Sequence, residues 1–197
     1  GQYFSEFRRS IHVVKPFSIP KHWKRYFTMD YGLDMLAGYF IAVDTSGKAY
    51  VYKEIYKPNL IISAAAKEIL AADEKDVSVF YAPPDLYNRR QDTGKSVAEI
   101  FAEYGILLAK SENSRVQGWY NLKEWLMPYK DERGQVTANI VIFENFSQLL
   151  RIIHHIQLGA ADQRYLILHK IMMEIAIGIS GTVGGDQQLC AVIKRCD

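Results

Sequence analysis

The chain contains very little cysteine. Its two cysteines, Cys190 and Cys196, are separated by five residues and have no histidine or cysteine neighbour at metal-ligand spacing. The sequence therefore argues against a zinc site, and its scarce cysteine fits a reducing compartment.

Long apolar runs are also missing. The stretch "IMMEIAIGI" is short and contains Glu174, whereas a membrane-spanning helix needs about 20 apolar residues. The first residues, "GQYFSEFRRS", lack the cationic start, apolar centre and small-residue cleavage site of a signal peptide. We therefore expect a cytoplasmic domain without a membrane segment, cut from a longer chain.

The chain has almost no excess of charge of either sign. Lys and Arg total 24 against 22 Asp and Glu, which gives a formal charge of +2. This balance is too small to indicate nucleic-acid binding, so any site for a polyanion must come from local clustering. A length of 197 residues fits one α/β domain with a single large core.

The order of apolar patterns predicts the fold class. Three strand patterns, "RYFTMDYG", "GYFIAVD" and "AYVYKEIY", predict an antiparallel meander. Helix and strand patterns then alternate through "ISAAAKEILAAD", "VSVFYAP", "SVAEIFAEYG" and "ILLAKS", and "NIVIF" is a last candidate strand. Crossover helices make their flanking strands parallel. We predict an α/β fold: a ribonuclease H-like mixed sheet of about five strands flanked by helices.

The same reading divides the chain into three parts. Pro16 and Pro20 punctuate an irregular opening, predicted as a linker or extended segment over residues 1–20. Residues 21–179 form the predicted domain. The glycine-rich end without a period predicts a loose tail over residues 180–197.

Two aspartates follow predicted strands. Asp30 closes the first strand, and Asp85 follows the fourth. If these strands are neighbours, both carboxylates lie at one edge of the sheet, where they can hold Mg²⁺ or Mn²⁺. By position alone, an Asp beside Gly or Pro is more often a turn residue that hydrogen-bonds its own backbone.

Several cations surround these aspartates in the sequence. They can position a phosphate backbone beside an acidic pair, or they can form an ordinary solvated loop. The run "TGKS" lacks the glycine that a phosphate-binding loop needs five positions before Gly94, so we reject an ATP site and expect Thr93 or Ser96 to cap the next helix. The candidate DNA-binding residues are Arg89, Arg90, Lys95, Arg115 and Lys123.

The ordered set of motifs resembles a known family. "GQYFSEF", "MDYGLDMLA", "YVYKE", "DLYNRRQDTGKSVAEIFAEYGI" and "SRVQGWYNLKEWL" together resemble the C-terminal nuclease domain of the terminase large subunit of tailed bacteriophages. The resemblance covers roughly residues 2–157 and lies in the order of the motifs.

The resemblance implies a ribonuclease H-like endonuclease that cuts concatemeric double-stranded viral DNA during packaging. It implies two Mg²⁺ or Mn²⁺ ions, with catalytic and metal-binding roles for Asp30 and Asp85. It also implies an upstream ATPase domain, a small terminase subunit and a portal ring as partners in the host cytoplasm.

The third metal ligand is where the chain departs from the family. The family pattern resembles His-Ala-x-Asp-Ala-x-Arg-Tyr, whereas the nearest stretch here is "GAADQRYL", without the histidine and with shorter spacing. By resemblance Asp162 is the candidate third ligand, and Glu174 and Asp186 are weaker substitutes.

Two other functions stay open from the sequence. One is a catalytically impaired DNA- or partner-binding module of the packaging motor with an incomplete metal site, which the atypical end of the chain favours. The other is a different ribonuclease H-like DNA nuclease, such as a junction resolvase, because fold analogy alone does not separate these activities.

Overall fold

The computed structural model describes residues 4–32, 34–72, 77–111, 122–146, 149–150 and 153. Within these ranges the chain forms a seven-stranded mixed sheet in the order β1-β9-β4-β3-β2-β5-β6 and a two-stranded ribbon, β7-β8. The strands are β1 Val13–Val14, β2 Lys24–Tyr31, β3 Met35–Val43, β4 Ala49–Pro58, β5 Val77–Ala82, β6 Leu108–Lys110, β7 Tyr129–Lys130, β8 Val136–Thr137 and β9 Ile140–Phe143.

The meander β2-β3-β4 forms the middle of the sheet, and both of its pairings are antiparallel. The turn between β3 and β4 uses Asp44, whose Oδ1 accepts hydrogen bonds from the backbone N–H groups of Ser46 and Lys48 at 2.8 and 3.0 Å. This is the hairpin role expected of a short acidic side chain in a turn.

Parallel strands extend the meander on both sides. β5 pairs with β2 and β6 pairs with β5, as the helix-strand alternation predicts. On the other side β9 pairs with β4, and the two-residue β1 pairs with β9. The predicted fold class is thus confirmed, and the sheet has seven strands where about five were expected.

Helices cover both faces of the sheet. The helices are α1 Arg9–His12, α2 Ile62–Ala72 and α3 Val97–Glu103, and residues 122–126, 149, 150 and 153 are also helical. A 3₁₀ turn, Pro84–Tyr87, follows β5.

One face of the sheet packs against α2 and α3. Ala66 and Ile69 of α2 and Phe101 of α3 are buried there with Phe27 and Phe40. Gly38 lies on this face, and a Cβ at this position would come within 2.5 Å of the Phe27 ring. Only glycine lets that ring lie flat over β3, because any larger residue would displace it.

The opposite face, here called the site face, carries Tyr26, Tyr39 and Ile41. Helical residues from two later parts of the chain are buried against it, and so are two phenylalanines from the first residues described. These covering residues are Phe4, Phe7, Leu122, Leu126, Leu149, Leu150 and Ile153.

A buried histidine joins two of the segments that cover the site face. His12 is fully buried; its Nε2 donates to the carbonyl of Leu126 at 2.8 Å, and its Nδ1 accepts from the backbone N–H of Arg8 at 3.0 Å. The ring also stacks on Phe7 at 5.1 Å between centroids. This residue therefore fastens the first residues described to the helical residues 122–126.

Candidate metal and DNA site

Asp30 and Asp85 lie at the same end of two neighbouring parallel strands. In the β2-β5 pairing Thr28 stands opposite Tyr81. Asp30 comes two residues after Thr28, and Asp85 comes four residues after Tyr81. Because the strands run in the same direction, the carboxyl ends of both meet at one edge of the sheet. The two strands are thus neighbours, as the predicted acidic site requires.

The end of β2 directs Asp30 to the site face. Successive side chains of a strand point to opposite faces, so Asp30 shares its face with Tyr26 while Tyr31 points toward α3. The Tyr31 hydroxyl donates to the Leu60 carbonyl at 2.8 Å, and its ring meets Phe101 edge-on at 5.4 Å. Because Tyr31 is held on one face of the sheet, the half-buried side chain of Asp30 lies on the other face.

A tight turn follows Asp30. The N–H of Gly32 donates to the Met35 carbonyl at 2.9 Å, and a Cβ on Gly32 would come within 3.3 Å of the Asp34 side chain. A larger residue would crowd this turn. The turn therefore leads the chain away from Asp30 immediately after the strand ends.

The exposed Asp85 lies in the 3₁₀ turn Pro84–Tyr87, which follows β5 directly. Leu86 is buried and its N–H donates to the Pro83 carbonyl at 3.2 Å, while the Asn88 N–H donates to the Asp85 carbonyl at 3.1 Å. The buried Leu86 thus anchors this short turn, and the acidic side chain of Asp85 stays at the surface.

Two cross-strand rows cross the site face near the end of β2, and the second contains Asp30. The strand register places Tyr81, Thr28, Tyr39 and Glu54 in one row, and Asp30, Ala37 and Tyr56 in the next. Burial raises the pKa of Tyr81, and burial with the nearby Glu54 and Tyr56 raises the pKa of Tyr39 well above its ordinary range. These phenols therefore keep their protons at neutral pH.

The sequence did not predict one of these rows, which consists of Tyr81, Thr28, Tyr39 and Glu54. The alternating pattern of "YFTMDY" indicates that Thr28 shares a face with Asp30, but strand register is needed to bring residues from β3, β4 and β5 beside it. Lys110 was missed as well; it ends β6 opposite Ala82 of β5, and its Nζ lies 5.8 Å from the centre of the Tyr87 ring.

The predicted cations at 89–95 belong to one closed loop beside this edge. Arg89 bridges to Ser96, the Arg90 N–H donates to the Lys95 carbonyl at 3.1 Å, and the Gly94 N–H donates to the Arg90 carbonyl at 2.9 Å. Gly94 has a φ of 69°, a left-handed conformation that favours glycine. The loop is therefore a defined structure with a tight tip.

The loop lies close to the end of β2. The loop runs from the 3₁₀ turn after β5 to helix α3, and the Phe101 ring of α3 meets the ring of Tyr31, the last residue of β2. Burial raises the pKa of the Tyr31 phenol, and the charge of Arg90 opposes that rise.

Each cation of the loop has an acidic partner. Arg90 pairs with Asp92 at 2.9 Å, Lys95 pairs with Glu103 at 2.5 Å, and Arg89 lies 4.0 Å from Glu99. In all three pairs, each of the two side chains is at least one third exposed to solvent. Surface pairs of this kind contribute about 0 to 1 kcal/mol, so a phosphate can replace the carboxylate at small cost.

The remaining predicted site residues are placed differently. Lys123 lies in the helical residues 122–126, whose leucines pack on the site face. Arg115 and Asp162, with the alternatives Glu174 and Asp186, lie outside the described residues. Among the residues that the structure describes, no group of three or more His, Cys, Asp or Glu is arranged to hold a metal ion. Asp30 and Asp85 supply hard carboxylate oxygens, the donors that Mg²⁺ and Mn²⁺ prefer.

No helix in the described part of the chain has the length and apolar character required to span a bilayer. No protein-family profile matches the sequence, and no curated protein matches it.

Solved structures of similar fold are nuclease domains of phage large terminases. The P22 large terminase nuclease domain matches with a TM-score of 0.62 and 15% identity over 78% of each chain. The large terminase nuclease of thermophilic phage G20c with bound magnesium matches with a TM-score of 0.54 and 15% identity over 86% of this chain and 95% of that one.

The large terminase of the thermophilic bacteriophage D6E is a third match, with a TM-score of 0.60 and 15% identity. The match covers 79% of this chain and 37% of that protein. At these identities the similarity establishes the fold of the chain, which is that of the large terminase nuclease domains.

Proposed function

We propose that the chain is a metal-dependent endonuclease that cuts concatemeric double-stranded viral DNA during genome packaging. The observation that carries this proposal is the position of Asp30 and Asp85 at the carboxyl ends of the neighbouring parallel strands β2 and β5. The fold shared with large terminase nuclease domains supports the same function.

Asp30 and Asp85 are the proposed metal ligands, and Asp162 is the proposed third ligand. Two ions of Mg²⁺ or Mn²⁺ in such a site, when bound, activate water and stabilise charge on the departing oxygen of a phosphodiester. The structure of the G20c nuclease with bound magnesium supports this choice of ion. The tight turn at Gly32 and the anchored Leu86 hold the two carboxylates at the edge in advance, which limits the reorganisation needed on binding.

The loop cations are the proposed phosphate contacts. Arg89, Arg90 and Lys95 are exposed and held by pairs that phosphate can displace. Arg115, Lys123 and Lys110 are further proposed contacts. Contacts to phosphate fix the position of the duplex but do not read its sequence. We therefore propose cleavage with little sequence preference.

The wider setting of the domain is also proposed. The D6E protein is a large terminase more than twice the span matched here, which supports an ATPase domain in the same polypeptide. A small terminase subunit, a portal ring and the cytoplasm of a host bacterium follow from the packaging function.

A plasmid-cleavage assay tests the proposed function. The purified chain should convert supercoiled DNA to open and linear forms with Mn²⁺ or Mg²⁺, and EDTA should stop the reaction. Asp30→Asn and Asp85→Asn should each abolish cleavage, because each replaces a charged ligand by a neutral amide. Glu132→Gln, which removes an exposed carboxylate from the turn between β7 and β8, should cut like the parent.

Metal-dependent cleavage that survives both substitutions at the parent rate would contradict the assigned roles. Circular dichroism of each variant separates a lost ligand from a lost fold. Asp162→Asn tests the third ligand in the same assay, since unchanged cutting would move that ligand elsewhere.

A catalytically impaired module that holds DNA is the second candidate function. The observation that favours it is the departure of "GAADQRYL" from the family pattern, in which a histidine is missing and the spacing to Arg164 is shorter. In that case the parent chain should bind DNA in a filter-binding assay, with an affinity that falls steeply as the salt concentration rises. It should leave the DNA uncut. A strong preference for cutting four-way junctions over linear duplex would instead indicate a resolvase.

A further inference from the structure

Glu54 is an acidic residue in the middle of the site face. It belongs to β4 and stands opposite Tyr39 of β3, which in turn stands opposite Thr28 of β2. Its side chain is half-buried, and burial raises its pKa while the hydrogen bond from Leu149 opposes that rise. A carboxylate in such a place is costly unless a hydrogen-bond donor compensates for the lost water.

The donor comes from the helical residues that follow β9. The N–H of Leu150 donates to the Phe146 carbonyl at 3.2 Å, which is the spacing of a first helical hydrogen bond. The N–H of Leu149 therefore lies in the first turn, where backbone donors have no partner within the helix. The Oε2 atom of Glu54 accepts from this N–H at 3.2 Å.

The contact joins two parts of the chain that are 95 residues apart. Leu149, Leu150 and Ile153 are buried in the cluster that also contains Tyr26 and Tyr39. These three residues, here called the late helical segment, therefore cover the face on which Asp30 lies. A negative charge at the start of a helix is electrostatically favourable, so Glu54 provides both a hydrogen bond and a charge at this point.

We propose that Glu54 is a positioning residue that fixes the late helical segment against the site face and so sets how well the metal site is assembled. The inference rests on the proposed function, because the late helical segment covers the face of the sheet on which Asp30, a proposed metal ligand, lies. Glu54 itself lies one cross-strand row away from Asp30 and two strands across. It acts through the helical segment and holds no metal.

The test compares Glu54→Ala and Glu54→Gln in the full chain. Hydrogen exchange of the Leu149 amide reports the contact, and electron paramagnetic resonance of free Mn²⁺ reports the metal affinity without any cleavage. Glu54→Ala should speed exchange at Leu149 and weaken Mn²⁺ binding about twofold or more, as expected for a residue that acts through packed side chains. Glu54→Gln should stay near the parent in both, because its amide oxygen still accepts from Leu149.

Glu144→Ala is the matched control, since Glu144 is an exposed acid close in sequence to the same segment. It should change neither measurement. Unchanged Mn²⁺ affinity in a folded Glu54→Ala variant would overturn the proposal, and so would an equal loss in Glu54→Gln. If the parent chain binds no Mn²⁺, the proposed function and this coupling both fail; faster exchange in Glu54→Ala would then establish only the contact with the helical segment.

Discussion

At the scale of single residues, Asp30 and Tyr31 are neighbours with opposite environments. Tyr31 is held on the α3 side by the Leu60 carbonyl and the Phe101 ring, and strand alternation therefore turns Asp30 to the site face. Asp30 is half-buried and Asp85 is exposed. The edge of the sheet is thus open to solvent at Asp85.

Glu54 gives a prediction about pH and stability. Because burial raises its pKa above the ordinary carboxyl range, the folded state binds a proton more tightly than the unfolded state does. The stability linked to this proton is fully present below the unfolded-state pKa. It is lost as the pH rises from that value through the raised pKa of the folded state.

Urea denaturation at a series of pH values checks this sign. As the pH rises from the unfolded-state pKa through the folded-state pKa of Glu54, the free energy of unfolding of the parent should fall relative to that of Glu54→Gln. The glutamine has no proton to release at this position. Burial holds the pKa of Tyr39, the phenol opposite Glu54 in register, well above its ordinary range, so Tyr39 stays protonated throughout and does not contribute. A parent that gains stability relative to Glu54→Gln as the pH rises would contradict the assignment.

The sequence predicted the two aspartates at strand ends, since a change from an apolar run to a turn is a local pattern. It did not predict Thr28, Tyr81, Glu54 or Lys110 as their neighbours. These residues approach the site through the pairing of β2 with β5, of β3 with β4 and of β5 with β6. Pairing across strands depends on packing between distant segments, which no local period encodes.

At the scale of secondary structure, α3 holds one end of the cationic loop. Ser96 caps this helix in a full capping box: its Oγ accepts from the Glu99 N–H at 3.1 Å, and Glu99 Oε2 accepts from the Ser96 N–H at 2.6 Å. The predicted cap at Ser96 is confirmed. Gly105, with a φ of 85°, follows the end of the helix, as expected for a left-handed stop.

Replacing the cap should measurably destabilise the chain. Ser96→Ala removes the acceptor for the Glu99 N–H at a buried position and should lower the free energy of unfolding by about 1 kcal/mol. Thr93→Ala, which alters an exposed hydroxyl in the same loop, should change it by less than about 0.5 kcal/mol. Equal effects of the two substitutions in urea denaturation would refute the importance of the cap.

If the loop binds DNA as proposed, its ion pairs compete with the phosphate contacts. Arg90→Ala and Lys95→Ala should each lower DNA affinity and reduce the slope of log affinity against log salt by about 1, because each removes one phosphate contact. Asp92→Asn should raise the affinity, since it releases Arg90 from its pair. Fluorescence anisotropy with a labelled duplex in EDTA measures binding without cleavage.

Lys21→Ala is the control for these loop variants. Lys21 is exposed and precedes β2, so it lies toward the end of that strand opposite Asp30. Its removal should leave the salt slope unchanged. A loop variant with the same slope as Lys21→Ala would show that the loop does not contact phosphate.

At the scale of the whole molecule, the fold places three strand ends at one edge. β2, β5 and β6 run parallel and end at Tyr31, Ala82 and Lys110, with Asp30 and Asp85 beside these ends. Crevices at the carboxyl ends of strands are where open α/β sheets commonly bind ligands. The proposed metal site therefore lies where this class of sheet most readily provides one.

The alternation of helix and strand was sufficient to predict the antiparallel meander and the parallel strands after it, whereas the contact of β2 with β5 entered only as a condition, which the structure meets. The pairing of β1 and β9, on the other side of the meander, was harder to predict. β1 has only two residues and β9 only four, and their pairing with each other and with β4 depends on contacts across more than 80 residues of chain. Segments this short have no reliable period.

Direct binding of Mn²⁺ tests the central claim, that Asp30 and Asp85 form one metal site. Mn²⁺ should be titrated into the parent chain and into the variants Asp30→Asn, Asp85→Asn and Glu132→Gln. Electron paramagnetic resonance then measures the free Mn²⁺ at each step. The account predicts that each aspartate variant, still folded by circular dichroism, binds Mn²⁺ at least about tenfold more weakly, and that Glu132→Gln binds like the parent. Parent-like affinity in both aspartate variants would contradict it.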